Sequence, residues 1–81
     1  MKDHELKCWP ASFRPIMDGF KTADLRKNDR AYAIGDTLTL REWDQHSGLY
    51  TGRFVRMKVR HVADVSPWVP GYVLLSIESL G

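Results

Sequence analysis

Apolar and polar residues alternate along most of this chain, and the alternation predicts β-strands. In a strand, successive side chains point to opposite faces, so every second residue shares a face. Leu38 and Leu40 follow this rule, and the turn-rich residues 44–48 predict that their strand forms a hairpin with the next one. The predicted strands cover residues 4–9, 21–27, 37–43, about 50–62 and 72–77.

A single helix is predicted over residues 10–18. Proline suits the first turn of a helix, and Pro10 stands at that position. Phe13, Ile16 and Met17 recur at helical spacing, so we expect them to face the core. Gly19 supplies the left-handed residue that commonly ends a helix.

Length and element order together predict one small domain over residues 1–81. A chain of 81 residues buries only about 60–65% of its unfolded surface, so its core must be compact. Five strands with one helix after the first strand, joined by short connections, favour a mostly antiparallel β-barrel over a βαβ fold. In the strand predicted over residues 21–27, alternation places Thr22, Asp24 and Arg26 on one face and Lys21, Ala23, Leu25 and Lys27 on the other. The mixed chemistry of both faces predicts that this strand lies at an edge.

The polar start Met1–Glu5 and the absence of a long apolar segment predict a soluble cytoplasmic protein that does not enter the membrane. One cysteine, Cys8, excludes an internal disulfide, and three scattered histidines provide no metal-ligand spacing. We therefore expect neither a metal nor another cofactor, and a monomer or a weak dimer. Cys8 is interpreted as a small core residue.

Positive charge is concentrated in two segments although the net charge is only +2. Eight of the twelve lysines and arginines fall in residues 21–30 or 53–60. Such local positive potential attracts polyanions more effectively than total charge does. In the second segment Arg56, Lys58 and Arg60 share one strand face, which we interpret as a solvated outer surface in preference to a phosphate-binding stripe.

Residues 19–30 contain four cations and two carboxylates, which a short strand has little reason to carry unless it meets a partner. Their spacing, Gly-x-Lys-Thr-x-acid-x-Arg, resembles the signature of ASCH domains (activating signal cointegrator homology), which belong to the PUA-like RNA-binding folds. Gly35-Asp36 before a strand and the string Tyr50–Arg53 extend the similarity to short bacterial and phage members of uncharacterised function.

The resemblance implies a PUA-like barrel whose motif cations line a cleft between barrel and helix. Carried over to this chain, it implies nucleic-acid-binding roles for Lys21, Asp24 and Arg26, with Lys7 and Arg30 adjoining them. Arginine offers phosphate or a base edge a planar fork of donors, whereas lysine offers a point charge. The expected partner is RNA or a nucleotide. The alternative for these charges is an ion-pair network on a solvated strand.

Two other function classes remain open at this stage. One branch of the ASCH proteins hydrolyses acetylated cytidine with the motif lysine, a threonine three residues later and a distant glutamate. Asp24 stands at the threonine position here, which counts against that activity. The rival hypothesis is a small hydrolase that uses Lys21 and Asp24 and acts on a modified nucleoside, such as acetylcytidine, or on RNA. A protein-interaction module, marked by a broad apolar patch without a basic cleft, is the third.

Tryptophans beside cations are candidate stacking platforms for unpaired bases. The chain has three, Trp9, Trp43 and Trp68, and each is first interpreted as a core residue. Trp68 is favoured for ligand contact because its proline-flanked loop is expected at the rim of a cleft. His46 and His61 are interpreted as surface or hydrogen-bonded residues, not as catalytic bases.

Overall fold

The structure is a computed structural model that describes residues 1–80. It contains five strands and one helix, in the order that the pattern of apolar residues predicts. These elements are β1 (Asp3–Cys8), α1 (Pro10–Met17), β2 (Ala23–Lys27), β3 (Thr37–Asp44), β4 (Leu49–Asp64) and β5 (Tyr72–Ser79).

All five strands belong to one sheet in the order β1-β3-β4-β5-β2. β1 pairs with β3 in parallel, and the other three pairs are antiparallel. The sheet curls into a half-barrel with the helix following its first strand. The predicted small, mostly antiparallel fold of five strands with one helix is confirmed, with two additions: the barrel is open between β1 and β2, and one strand pair is parallel.

β1 and β2 occupy the two ends of the strand order, so each has one edge that no neighbouring strand covers among residues 1–80. The edge position predicted for residues 21–27 is thereby confirmed. Unpaired edges leave main-chain N–H and C=O groups available to other partners. Residues from both edges line the same hollows, as described below, so the two edges face each other across an opening.

The core lies between the inner face of the sheet and α1. Val73, Leu75 and Ile77 of β5 are buried, and Phe13 and Ile16 seal the core from the helix side, as predicted. Met17 does not join them: it is 42% exposed, which corrects the expectation that it faces the core. The helix ends at this residue, and its sulfur instead accepts a hydrogen bond from Arg53.

The connection between α1 and β2 departs from the predicted strand. Gly19 has φ of +82°, and the N–H groups of Phe20 and Lys21 both donate to the carbonyl oxygen of Pro15. The chain therefore wraps around the end of the helix, and β2 begins only at Ala23. Because Lys21 precedes the strand, the strand face assigned to it by alternation is wrong.

Gly35-Asp36 forms a turn that fastens β1 to the sheet. The buried Asp36 carboxylate accepts hydrogen bonds from the main-chain N–H groups of Lys2 and Ala33, both at 3.0 Å, and from His4 Nε2 at 2.9 Å. The hydrogen bond from His4, followed by that from Lys2, lowers the pKa of Asp36 to about 2. This part of the signature therefore has a structural role.

Candidate functional site

Two adjoining hollows occupy the opening between the free edges of β1 and β2, and together we call them the seam cleft. The outer hollow has a volume of about 470 Å³ and is lined by Glu5, Leu6, Lys7, Arg26, Lys27, Asp29, Arg30, Tyr32 and Tyr50. The inner hollow has a volume of about 230 Å³ and is lined by Lys7, Cys8, Trp9, Ser12, Asp24, Leu25 and Arg26.

The seam cleft brings together four of the six residues that the sequence singles out for nucleic-acid binding. Lys7 and Arg26 line both hollows, Asp24 lines the inner one and Arg30 lines the outer one. Lys7 comes from β1, and Asp24 and Arg26 come from β2. The cleft therefore depends on the curl of the sheet, which carries two strands from opposite ends of the strand order to one place.

Asp24 and Arg26 form the fixed centre of the cleft. They lie two residues apart on β2, so alternation places both on the same face, as predicted. Arg26 Nε donates to Asp24 Oδ2 at 2.7 Å. The Asp24 side chain is buried and also lines the inner hollow.

Arg30 lies beside the free edge of β1, and its guanidinium Nη1 is 3.5 Å from the main-chain oxygen of Glu5. The next residue, Ala31, has φ of 48°, the only positive φ of a residue other than glycine in the described chain. The left-handed conformation costs an alanine about 1–2 kcal/mol. Such strain is concentrated at functional sites. The strained residue, Ala31, lies in the chain between Arg30 and the buried Tyr32, which both line the outer hollow.

Lys21 adjoins the cleft through one hydrogen bond. Its Nζ donates to Ser12 Oγ at 3.0 Å, and Ser12 lines the inner hollow. Lys21 itself lines a separate, more apolar cavity of about 200 Å³ beneath the C-terminal end of α1. The structure thus places Lys21 behind the wall of the cleft.

The tryptophans are distributed differently from the sequence interpretation. Trp68 lies in the loop between β4 and β5, is 78% exposed and lines neither hollow. Trp9, the residue that precedes the helix, lines the inner hollow instead. Trp43 lies beneath Lys7, whose Nζ is 4.5 Å from the centre of the indole ring. Trp9 is therefore the one aromatic residue among those that line the inner hollow with Asp24.

Sequence reasoning missed several residues of the cleft, of which Tyr32, Tyr50 and Lys27 are the main ones. Tyr32 is buried, and burial raises the pKa of its hydroxyl. Tyr50 reaches the cleft because it pairs with Trp43 at the tip of the β3–β4 hairpin. Lys27 alone carried a usable signal, since it extends the charged string that contains Arg26.

Positive charge exceeds negative charge in the cleft once internal pairs are set aside. Arg26 neutralises Asp24, and the Glu5 carboxylate accepts from Arg41 at 2.9 Å. Lys7, Lys27 and Arg30 remain on the positive side. Asp29 is the one further carboxylate among the lining residues. The cleft therefore presents a moderate positive potential that favours an anionic ligand.

The second basic segment lies outside the cleft, and two of its arginines face exposed carboxylates. Arg56 lies 4.0 Å from Asp3, and Arg60 lies 3.3 Å from Glu78. These pairs are exposed, and exposed pairs contribute little to stability. The geometry favours a solvated outer surface for this face, as interpreted from the sequence.

Two buried ionisable groups lie near the cleft, the Cys8 thiol and the Glu42 carboxylate. Desolvation by burial raises the pKa of the Cys8 thiol to about 11, so the reactive thiolate is scarce at neutral pH. The Glu42 carboxylate accepts from Thr51 Oγ1 at 2.8 Å and lies within 4 Å of Arg14 and Arg53. Glu42 thus links the helix to the β3–β4 hairpin.

Comparison with known proteins assigns the chain to a family. Residues 3–77 match the family model described as a domain of unknown function, DUF3850. The chain belongs to the DUF3850 family. It is also similar to a protein of Escherichia phage P2 named "Uncharacterized 12.9 kDa protein in GpA 3'region", with 46% identity over 74 residues. The aligned part is 91% of this chain and 66% of the phage protein, so the chain spans about two thirds of that relative.

The matched region of this DUF3850 chain includes every residue that lines the seam cleft. Within residues 1–80, no helical segment has the length and apolar character that a bilayer crossing requires. In the same part of the chain, no group of three or more His, Cys, Asp or Glu side chains is placed to hold a metal ion. The cytoplasmic location stays a prediction.

Proposed function

We propose that this DUF3850 domain is a non-catalytic, PUA-like module of the ASCH type that binds RNA or a nucleotide in the seam cleft. One observation carries the proposal. Lys7, Arg26 and Arg30, which are distant in sequence, converge with the buried Asp24 on one concave opening between two free strand edges. A solvated ion-pair network requires no such concavity.

The cations at the rim provide affinity for phosphate. Lys7, Lys27 and Arg30 line the outer hollow, and carboxylates of the cleft do not engage them in ion pairs. Contacts of this kind position a nucleic acid without reading its sequence. They also make binding dependent on salt, because each neutralised phosphate releases condensed counterions.

The inner hollow provides base preference in this proposal. Arg26 holds Asp24 in place through Oδ2, and in this proposal the other carboxylate oxygen, Oδ1, accepts a hydrogen bond from the ligand. A carboxylate in this position favours a base edge that presents an N–H donor, such as the exocyclic amine of cytosine. Trp9, on the same wall, is available to stack against the ring of that base.

Fluorescence anisotropy with labelled single-stranded RNA, measured over a series of salt concentrations, tests the proposal. Lys7→Ala and Lys27→Ala are each expected to weaken binding. Each should reduce the slope of log K against log salt by about 0.7, the value for one phosphate contact on a single strand. Lys58→Ala is the matched control, since it removes the same charge from β4 and Lys58 lines neither hollow.

Three results would contradict the proposal. The first is the absence of binding to any RNA or nucleotide tested. The second is binding that does not change with salt. The third is an equal loss in Lys58→Ala and in Lys27→Ala, which would assign the effect to overall charge and not to the cleft.

One observation supports a hydrolase as the second candidate. Asp24, the partner that the sequence suggests for Lys21, is engaged by Arg26, whereas Lys21 Nζ lies 3.0 Å from the hydroxyl of Ser12. Serine and lysine form the nucleophile and base of some hydrolases, provided that the lysine amine is neutral. Release of acetate from an acetylated nucleoside, lost in both Ser12→Ala and Lys21→Ala, would favour this candidate over the binding module.

A further inference from the structure

The seam cleft continues beyond the strand edges onto the outer face of the sheet. A third hollow, of about 460 Å³, is lined by Glu5, Thr39, Arg41, Gly52 and Phe54. It shares Glu5 with the outer hollow, which in turn shares Lys7 and Arg26 with the inner hollow. Because neighbouring hollows share lining residues, we treat the three together as one groove, from the start of α1 to the β3–β4 hairpin.

Aromatic rings and cations alternate along the hairpin end of this groove. The guanidinium carbon of Arg41 lies 3.8 Å from the ring centre of Tyr50, and Lys7 lies over Trp43. Arg41 pairs in register with Phe54, whose side chain is 59% exposed. We call this surface, formed by Lys7, Arg41, Trp43, Tyr50 and Phe54, the hairpin ladder.

The chemistry of the hairpin ladder indicates which occupant it suits. An exposed aromatic face stacks on any nucleobase, and adjacent cations neutralise the phosphates between successive bases. The Glu5 carboxylate in the groove is already engaged by Arg41, so it repels an anionic chain less than a free carboxylate does. A mononucleotide held at Asp24 would leave the hairpin ladder without a partner.

We infer that the ligand of the seam cleft is a single-stranded polynucleotide of about four or more nucleotides, a length within the range of small single-strand-binding domains. One nucleotide occupies the inner hollow, and the strand leaves the cleft across Tyr50 and Phe54. The inference rests on the proposed function and extends it from a nucleotide to a strand. Duplex RNA is excluded as the preferred ligand, because stacking on Phe54 requires unpaired bases.

A length series of labelled cytidine oligomers, from two to twelve nucleotides, tests the inference by anisotropy at fixed low salt. We expect the oligomer of eight nucleotides to bind at least tenfold more tightly than the oligomer of two nucleotides. Phe54→Ala should weaken binding of the longer oligomer about tenfold, the effect of losing one base stack, and leave the shorter one unchanged.

Phe20→Ala is the matched control, because Phe20 is 86% exposed and lines none of the three hollows. Urea unfolding checks that each variant is folded. If Phe54→Ala is unfolded, Phe54→Leu replaces it, since leucine keeps apolar volume without a ring.

The outcomes separate this inference from the proposed function. If affinity does not increase with length while Lys27→Ala still weakens binding of the oligomer of two nucleotides, the inference is overturned and the cleft proposal stands. If oligomers of every length fail to bind, both are overturned. Equal losses in Phe20→Ala and Phe54→Ala, or equally tight binding of a duplex, would also overturn the hairpin ladder as a path for a single strand.

Discussion

Arg26 donates from Nε to Oδ2 of Asp24 across 2.7 Å, and the exposed fractions of the two side chains are only 19% and 6%. The pair therefore lies at the base of the seam cleft and not at its rim. A buried carboxylate requires a partner, and Arg26 provides it. The same contact orients the carboxylate of Asp24, which lines the inner hollow.

Arg26→Ala is expected to lower the free energy of unfolding by about 2–4 kcal/mol, because it leaves the Asp24 carboxylate buried without its partner. Adding Asp24→Asn to this variant should recover part of the loss, since the uncompensated charge is then removed. Urea unfolding of the two single variants and the double variant gives the coupling energy. Arg60→Ala, which breaks an exposed pair with Glu78, is the control and should change stability by less than about 1 kcal/mol. Similar losses in Arg26→Ala and Arg60→Ala would contradict the structural role of the buried pair.

Gly35→Ala is expected to destabilise the fold by about 1–2 kcal/mol, because Gly35 has φ of +94°, where an alanine is strained. An added Cβ would also lie 2.8 Å from Met1 Sδ, but the end of a methionine side chain can move. Gly52→Ala separates the two effects, since Gly52 has φ of +93° and no atom within 4 Å of the added Cβ. Thermal and urea unfolding should give similar losses for both variants. A much larger loss for Gly35→Ala would instead identify the Met1 contact as rigid.

The predictable part of the site is the part that lies within regular strands. Asp24 and Arg26 were expected to share a face, and the period of two holds because both lie inside β2. Lys21 was assigned by the same rule and failed, because the turn after Gly19 precedes the strand. A strand rule cannot apply where the main-chain hydrogen bonds belong to the end of a helix.

The unpredictable part depends on contacts between distant segments. The approach of β1 to β2 follows from the parallel β1–β3 pair and the curl of the whole sheet. The alternation of residues within one strand predicts neither the strand pairing nor the curl. Tyr50 belongs to the cleft because of the hairpin register, which brings it opposite Trp43. Trp68 was favoured because its loop was expected at a cleft rim, but the loop between β4 and β5 lies elsewhere. Its binding role stays a prediction that the structure does not support.

Stability should fall at low pH through Asp36. Its pKa is about 2 in the folded protein and near 3.8 when unfolded, so the unfolded state binds the proton more readily. The stabilisation is therefore complete above about pH 5 and is lost as the pH falls towards 2. We expect a loss of about 1–2 kcal/mol, measured by urea unfolding between pH 6 and pH 2. Asp36→Asn should be less stable than the native chain at pH 6, and the difference should narrow at pH 2.

Asp64→Asn is the control for that pH dependence. Hydrogen bonds from Ser66 lower the pKa of Asp64, but this carboxylate lies at the surface. We expect this variant to keep most of the native pH dependence. A native-like pH dependence in Asp36→Asn would show that the turn at Gly35-Asp36 is not its source.

The alkylation rate of the Cys8 thiol measures how accessible the wall of the inner hollow is. This thiol is buried on the wall of that hollow, and desolvation raises its pKa to about 11. At pH 8 the thiolate fraction is about one hundredth of that of a thiol with a pKa of 9, so alkylation by iodoacetamide should be at least about a hundredfold slower than in the urea-unfolded chain.

Bound RNA should slow the reaction further in the native chain, because the proposed base position lies between Cys8 and the solvent. In Lys27→Ala, the same RNA concentration should protect Cys8 less. Protection that is absent at saturating RNA would place the ligand outside the inner hollow, and rapid alkylation without RNA would show that the thiol is not buried in solution.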